Sequence, residues 1–413
     1  MSKRVYWLWL AEKQELDAAT IRRLTESFGT PEFLYASERD VLLSAGLTKR
    51  QTDALCEKDL SRAEHILRVC EQKKITLLTI EDSAYPDMLR EIPDPPPVLY
   101  VRGTLPDFDQ SPAISVVGTR SCSAYGLRMA ERFGAALAKA GFSIVSGMAH
   151  GIDTAAHQGC LKAGGKTVAV LAGGVDICFP KENQYLMGDI MLCGAVISEN
   201  PPGTANEGFR FPIRNRIITG MSAATLIVEA PVRSGAMISA RLAFEQGREV
   251  FAIPGAVDVA GSVGGNRLIR DEIARIATQP MDIVQELASM LRQKPQEELV
   301  RSVWLRELGG YGSLPAPEPV KPYRIARSPG GHKAPQKENE QEEKAELLKE
   351  KKLPDTLHGT QRQIAEAICG GADTIDAISE ATGLPAAEIA SALVLLELAG
   401  IAAQKAGRCI LLL

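Results

Sequence analysis

Six short, almost unbroken apolar runs recur along the middle of the chain, at residues 113–117, 142–145, 167–171, 195–198, 225–228 and 249–253. Strands without polar alternation are buried on both faces, and each run is separated from the next by enough chain for a crossover helix. The pattern predicts an α/β protein on a doubly wound, Rossmann-like parallel sheet. It also restricts where chemistry can lie, because ligands of open α/β sheets bind beyond the carboxyl ends of the strands.

Two other patterns flank the sheet. Residues 1–75 read as short amphipathic helices with tight turns at Phe28-Gly29-Thr30-Pro31 and Leu43-Ser44-Ala45-Gly46-Leu47-Thr48. Helix, glycine turn and a helix opened by Thr48 suggest a helix-hairpin-helix or SAM-like module, which either holds a phosphate on its turn amides or serves packing and partner docking. The sheet domain is expected over 76–295, after a hinge that includes Pro93 and Pro95-Pro96-Pro97. From about 310 to 356 Pro, Gly, Lys, Glu and Gln dominate, a composition that cannot bury enough apolar surface to fold, and a linker is expected over 296–356. Residues 357–413 have the layout of a winged helix: helical patterns over 360–369, 374–382 and 386–399, turns at Gly371 and Gly383, and a two-stranded tail over 401–404 and 408–412. Its recognition-helix candidate, 386–399, carries Glu388 and Glu397 but no Lys or Arg, which favours a protein partner over duplex DNA.

Charge excludes one class of partner contact. With 47 Lys and Arg against 51 Asp and Glu, no global basic field exists, so any nucleic-acid site must be local. The eight cysteines form no CxxC pair and have no His at ligand spacing, which fits buried free thiols and no metal or cofactor. No segment reaches the roughly 18 apolar residues of a membrane span, and the start of the chain lacks a signal-type apolar region, so a soluble cytoplasmic protein is expected.

The strand ends carry the informative residues. The first run leads into Gly118-Thr119-Arg120-Ser121 and then a helix, so backbone amides and the helix dipole can hold an anion while Arg120 grips phosphate. The second ends in Ser146-Gly147-Met148-Ala149-His150-Gly151-Ile152-Asp153, ahead of a helix carrying His157. The third ends in Gly173-Gly174-Val175-Asp176 and continues through Phe179-Pro180-Lys181. Three phosphate-friendly turns are thus expected on one side of one sheet. The sharpest segment is Phe209-Arg210-Phe211-Pro212-Ile213-Arg214-Asn215-Arg216, which sets three arginines beside two phenylalanines, the pairing by which single-strand binders hold backbone and bases. The competing expectation is that the phenylalanines pack the core and the arginines pair with Glu199, Glu207 or Glu229.

From about 76 to 270 the chain resembles the DprA/Smf family, block after block and in colinear order. The blocks are Val117-Gly118-Thr119-Arg120; Ser146-Gly147 leading to Gly151-Ile152-Asp153 with Ala156-His157; and Ala169-Val170-Leu171-Ala172-Gly173-Gly174. They continue through Ser198-Glu199-Asn200-Pro201, Phe211-Pro212 with Arg214-Asn215-Arg216-Ile217-Ile218, Val228-Glu229-Ala230 with Ser234-Gly235, and residues 247–255. The resemblance implies a homodimer that binds single-stranded DNA and loads the RecA recombinase during natural transformation or recombination, without catalysis. Carried over position by position, it implies a pocket lined by Gly118, Thr119, Arg120, Ser146, Gly147, His150, Lys181, Phe211, Arg214, Asn215 and Arg216. The chain departs from the family at His150, where arginine is frequent, which softens the phosphate grip, and at Asp271-Glu272.

Two rival chemistries compete with this reading. His150, Asp153 and His157 fit one helix face, so a metal or acid–base role competes with a structural one in which Asp153 caps the helix and His157 is bonded beneath the loops. A nucleotide-cleaving phosphohydrolase resembling the lysine-decarboxylase-like proteins would need a PGGxGTxxE stretch, whereas this chain reads Glu229-Ala230-Pro231-Val232-Arg233-Ser234-Gly235-Ala236. A Walker loop is also lacking, because Gly261-Ser262-Val263-Gly264-Gly265-Asn266 has no Lys-Ser/Thr after it.

Overall fold

The computed structural model describes residues 3–291, 295 and 297–306 and, in the C-terminal part, 359–369, 372, 374–385, 388–389, 391–393, 396, 402–405 and 408–411. The chain divides into two compact units, Met1–Leu314 and Pro315–Leu413. Most of the expected linker, 307–356, lies outside the described residues. Its beginning does not behave as a linker: Glu297–Arg306 is a helix. Burial of Val300 and packing of Trp304 on Phe133, ring centroids 5.2 Å apart, supply the apolar surface that the charged composition concealed.

Every apolar run of the sequence becomes a strand. The sheet comprises β1 (Thr76–Thr79), β2 (Val98–Gly103), β3 (Ala113–Val117), β4 (Ser143–Ser146), β5 (Thr167–Val170), β6 (Ala195–Ser198), β7 (Ala224–Ile227), β8 (Glu249–Ala252) and β9 (Arg275–Ile276). Their order is β1-β2-β6-β5-β4-β3-β7-β8-β9. From β6 to β9 all pairings are parallel, with the strand order reversing direction between β3 and β7. The expected all-parallel sheet is extended at one edge by the antiparallel pair β1 and β2, with β2 also antiparallel to β6. These edge strands escaped sequence reading because the Pro-rich hinge runs directly into β2.

The helices of this unit are α1 (Lys3–Ala11), α2 (Ala18–Phe28), α3 (Pro31–Ala36), α4 (Arg39–Ser44), α5 (Lys49–Cys56), α6 (Ser61–Gln72), α7 (Asp87–Arg90), α8 (Ala124–Lys139), α9 (Ile152–Lys162), α10 (Gln184–Cys193), α11 (Arg210–Gly220), α12 (Gly235–Glu245), α13 (Val263–Arg270), α14 (Pro280–Glu286) and α15 (Glu297–Arg306). Alternation within each strand assigns them to faces. Ile114, Val116 and Ile144 pack with α8, α9, α14 and α15 on one face; Val117, Val145, Val170 and Ile227 pack with α7, α11, α12 and α13 on the other.

The N-terminal helices do not form a detached module. Trp7, Trp9, Leu10, Leu34 and Leu55 share a continuous core with Ala169, Leu171 and Val196 of the sheet and with Met187 of α10. They therefore cover the half of the first face that α8 and α9 leave open. The expected helix opened by Thr48 is present as α5, its entry fixed by a capping box: Gln51 N donates to Thr48 Oγ1 at 3.3 Å and Thr48 N to Gln51 Oε1 at 3.0 Å. Among the described residues, no helix is long and apolar enough to cross a membrane.

In the C-terminal unit, helices Gly359–Cys369 and Ile375–Thr382 pack Ile364, Ile368 and Ile378 against Ile389, Leu393 and Leu396. An antiparallel hairpin follows, Ala402–Lys405 with Arg408–Leu411. Gly383 closes its helix in the left-handed conformation, φ 70°. Gly371, Glu397 and much of the expected third helix lie outside the described residues.

Candidate nucleic-acid interface

The first strand-end turn is shaped by contacts that only glycine and small polar residues satisfy. A Cβ on Gly118 would lie 2.4 Å from Ile152 Cγ1 and 2.9 Å from the Glu229 carbonyl, so no side chain fits between β3 and its neighbours. Thr119 N donates to the Glu229 carbonyl at 2.7 Å. Ser123 caps α8, accepting from Gly126 N at 3.0 Å, and donates its own amide and hydroxyl to the buried Glu229 carboxylate at 2.8 and 2.5 Å. This framework fixes Arg120 at an exposed position above the strand ends.

Next to that turn is a cavity of about 280 Å³. Its walls are the turn 118–121, Phe211, Arg214 and Asn215 from α11, and the first turns of α12 from Ser234 onwards. The first amides of a helix have no intrahelical partner, so the start of α12 presents Gly235 and Ala236 with the positive end of a dipole. The Ser234 hydroxyl has no hydrogen-bond partner among the described residues. Such a wall suits an anion.

Arg214 forms the floor and is 4% exposed. One Nη atom donates to the carbonyls of Gly147, at 2.9 Å, and Val170, and Nε has no partner among the described residues. Burial pushes this guanidinium down to about 10, the Asp153 carboxylate opposing that shift and the Arg120 charge adding to it. Gly147 is required here, since a Cβ would sit 2.5 Å from both terminal nitrogens of Arg214.

The second turn is tied to itself. Asp153 accepts from the amides of Gly147 and Ala149, at 3.1 and 3.4 Å, rather than capping its own helix, and these bonds flank Met148 in the left-handed region at φ 53°. Burial raises the Asp153 carboxyl above its ordinary range, against the pull of Arg214 and the two amides. His157 bonds Thr167 Oγ1 at 2.7 Å, and burial, reinforced by Arg214, depresses it to about 3. His150 stays exposed, 3.6 Å from the Glu182 carboxylate. Among the described residues no cluster of His, Cys, Asp and Glu could hold a metal.

The expected site thus divides. Gly118, Thr119, Arg120, Phe211, Arg214 and Asn215 meet at the cavity; Gly147 backs its floor. Ser146 does not line it, because its hydroxyl is buried and donates to the Val116 carbonyl at 2.7 Å. Lys181 and His150 stand outside, on exposed turns. Arg216 points away: it is 7% exposed and binds Glu199 at 2.6 Å and Asp94 at 2.9 Å, with burial opposing its charge but the two carboxylates raising its affinity for the proton. The third turn is also closed. A Cβ on Gly173 would meet the Thr204 carbonyl at 2.7 Å, and Asp176 is held by Lys73 at 2.5 Å and by Gly203 N at 2.8 Å. Ser234 and Gly235, quoted among the resemblance blocks but not among the expected pocket residues, also line the cavity; a Ser-Gly pair between a strand and a helix was the available signal.

Comparison with known families and structures agrees with this frame. A family model described as DNA recombination-mediator protein A matches residues 76–288, and one described as the DprA winged helix domain matches 349–408. The protein Smf of Synechocystis is 31% identical, over 98% of each chain. The DNA processing protein DprA of Bacillus subtilis is 34% identical, over 62% of this chain and 85% of its own. The X-ray structure of DprA from Streptococcus pneumoniae superposes with a TM-score of 0.59 at 33% identity, covering 69% of this chain and 98% of that one. Sheet order, strand-end turns and full-length similarity lead to one conclusion: the chain belongs to the DprA/Smf family of DNA-processing proteins.

Proposed function

We propose that the chain binds single-stranded DNA at the strand-end cavity, shields it, and passes it to the RecA recombinase, acting stoichiometrically and as a homodimer. The observation that carries this reading is a local concentration of cations on a chain whose net charge is −4. Arg120 stands exposed at the mouth, Arg214 lies in the floor, and α12 begins at the wall. Those walls offer Arg120, Arg214 and the first amides of α12 to the backbone of one strand. Phe179 and Phe209, 40% and 59% exposed, offer aromatic surface for bases that only an unpaired strand can turn towards protein. Lys181 and His150 flank the path a strand would take out of the cavity, and DNA contact with them belongs to the same proposal.

The test is fluorescence anisotropy of labelled oligonucleotides across a salt series. Single strand is expected to bind more tightly than duplex. Arg120→Ala is expected to weaken binding at every sequence and to flatten the log–log salt slope by about 0.7. Equal affinity for both forms, or an unchanged Arg120→Ala, overturns the reading. RecA delivery is tested by filament formation on DNA precoated with single-strand-binding protein, where addition of this protein is expected to shorten the lag.

A further inference from the structure

The turn that follows β4 is strained. Met148 is fully buried and held at φ 53°, a left-handed conformation that a side chain disfavours. Such a backbone persists only where its surroundings over-determine it, and here three successive carbonyls are all engaged. Gly147 O accepts from Arg214 at 2.9 Å, Met148 O from Asn183 Nδ2 at 2.9 Å, and Ala149 O from the Thr154 hydroxyl at 2.6 Å.

Asn183 belongs to a different strand-end segment. It is 8% exposed and closes the short helical turn Lys181–Asn183, which follows the loop after β5. Its amide nitrogen also donates to Thr154 Oγ1, at 2.8 Å. Met148 O has no proton to give, and the Thr154 hydroxyl directs its own to Ala149 O, so both partners demand an N–H and only the carboxamide nitrogen fits. The three residues of the turn thus divide. Lys181 reaches solvent, Glu182 lies 3.6 Å from His150, and Asn183 enters the backbone of the neighbouring turn. A continuous path runs from Arg214 through Gly147 and Met148 to Asn183, two residues from Lys181.

We infer that Asn183 is a positioning residue for single-strand binding: it latches the segment bearing Lys181 to the turn that backs the cavity floor, fixing the spacing of the two cations before a strand arrives. The inference rests on the reading of Lys181 as a DNA contact given above. A lysine side chain is flexible, so the latch supplies order in the backbone that carries it rather than aim of the amine. A segment ordered in advance adds no ordering cost to binding. Asn183 itself, buried under Met148 and Thr154, touches no DNA.

The experiment measures oligothymidine affinity by anisotropy across a salt series for Lys181→Ala, Asn183→Leu, Arg120→Ala and the double variants. Asn183→Leu keeps the volume and removes both N–H donors. It is expected to weaken binding by between about threefold and tenfold, close to the loss in Lys181→Ala, and to flatten the log–log salt slope by up to about 0.7. Added to Lys181→Ala it is expected to cost nothing further, whereas added to Arg120→Ala its effect should appear in full. A protein weakened only in its general structure would show additive losses in both pairs, and that result overturns the inference. Thr154→Val removes one acceptor of the latch and leaves Asn183 in place, so it decides the matter even if Asn183→Leu fails to fold. A loss of about twofold that vanishes in the Lys181→Ala background is expected; no loss, or one that persists there, overturns the inference. Wild type that binds no single strand, or Lys181→Ala that binds as wild type does, brings down the underlying contact as well. Lys181→Ala that weakens binding while Asn183→Leu does not brings down the latch alone.

Discussion

Arg214 and Arg216 sit two residues apart on α11 and have opposite fates. At about 100° per residue they face nearly opposite sides of the helix. Arg214 turns to the strand ends, where carbonyls rather than a direct carboxylate partner receive it. Arg216 turns to the side away from the cavity, where two carboxylates neutralise it. A guanidinium bonded to carbonyls, with the Asp153 carboxylate acting on it only through space, is less completely neutralised than one bonded directly to Glu199 and Asp94. The same residue type in one short motif therefore divides according to its partner: one guanidinium lines the cavity and the other ties α11 to Glu199 and Asp94.

The largest test of that division is Arg216→Ala. It leaves Glu199 and Asp94, whose side chains are 20% and 47% exposed, without their counter-charge and opens a cavity where the buried guanidinium lay, and a loss of about 2 kcal/mol in stability is expected from chemical denaturation. Single-strand affinity of the protein that remains folded should be unchanged; a parallel loss would break the comparison. Next comes the acid response of the other face. His157 is neutral in the fold, with its proton affinity depressed to about 3, while the unfolded chain takes up a proton near 6.5. Stability from this group is thus complete above about pH 6.5 and falls as pH drops towards 3, by about 1.4 kcal/mol per pH unit. Urea midpoints measured from pH 7 to 4 should show that slope reduced in His157→Gln.

Smaller, and more specific, is Gly147→Ala. The added methyl meets both terminal nitrogens of the buried Arg214 and forces it off the Gly147 and Val170 carbonyls, so stability should fall by about 1–2 kcal/mol and binding by the folded protein should weaken by about tenfold. Unaltered binding would show that the floor charge has no part in holding DNA. Last is Arg210→Ala. Arg210 pairs with Glu207 at 3.0 Å and donates to Asn200 Oδ1 at 2.8 Å, so a loss of about 1 kcal/mol in stability is expected, most of it from the Asn200 bond.

This division explains what could be read from sequence. The six strands were legible because short apolar runs rich in β-branched residues recur with room for a crossover helix between them, whereas the single apolar run Val5–Ala11 is a helix, and the first turn was legible because glycine, threonine and arginine act locally. Arg216 was not, since its partners Glu199 and Asp94 come from distant segments and nothing in the motif distinguishes it from Arg214. The closure of the Gly173 turn by Thr204 and the outward Phe179 ring depend on similar long-range placements. The arginine-pairing alternative was correct for Arg216 with Glu199 and for Arg210 with Glu207.

The core that joins the N-terminal helices to the sheet has a practical corollary. The chain has three tryptophans: Trp7 and Trp9 are buried in that shared core, and Trp304 lies against Phe133 on α8. None lines the cavity. Intrinsic emission is therefore a built-in reporter of how the helical cover and the α8 side come apart on denaturation. It should remain nearly silent when an oligonucleotide is added, leaving each signal free of the other.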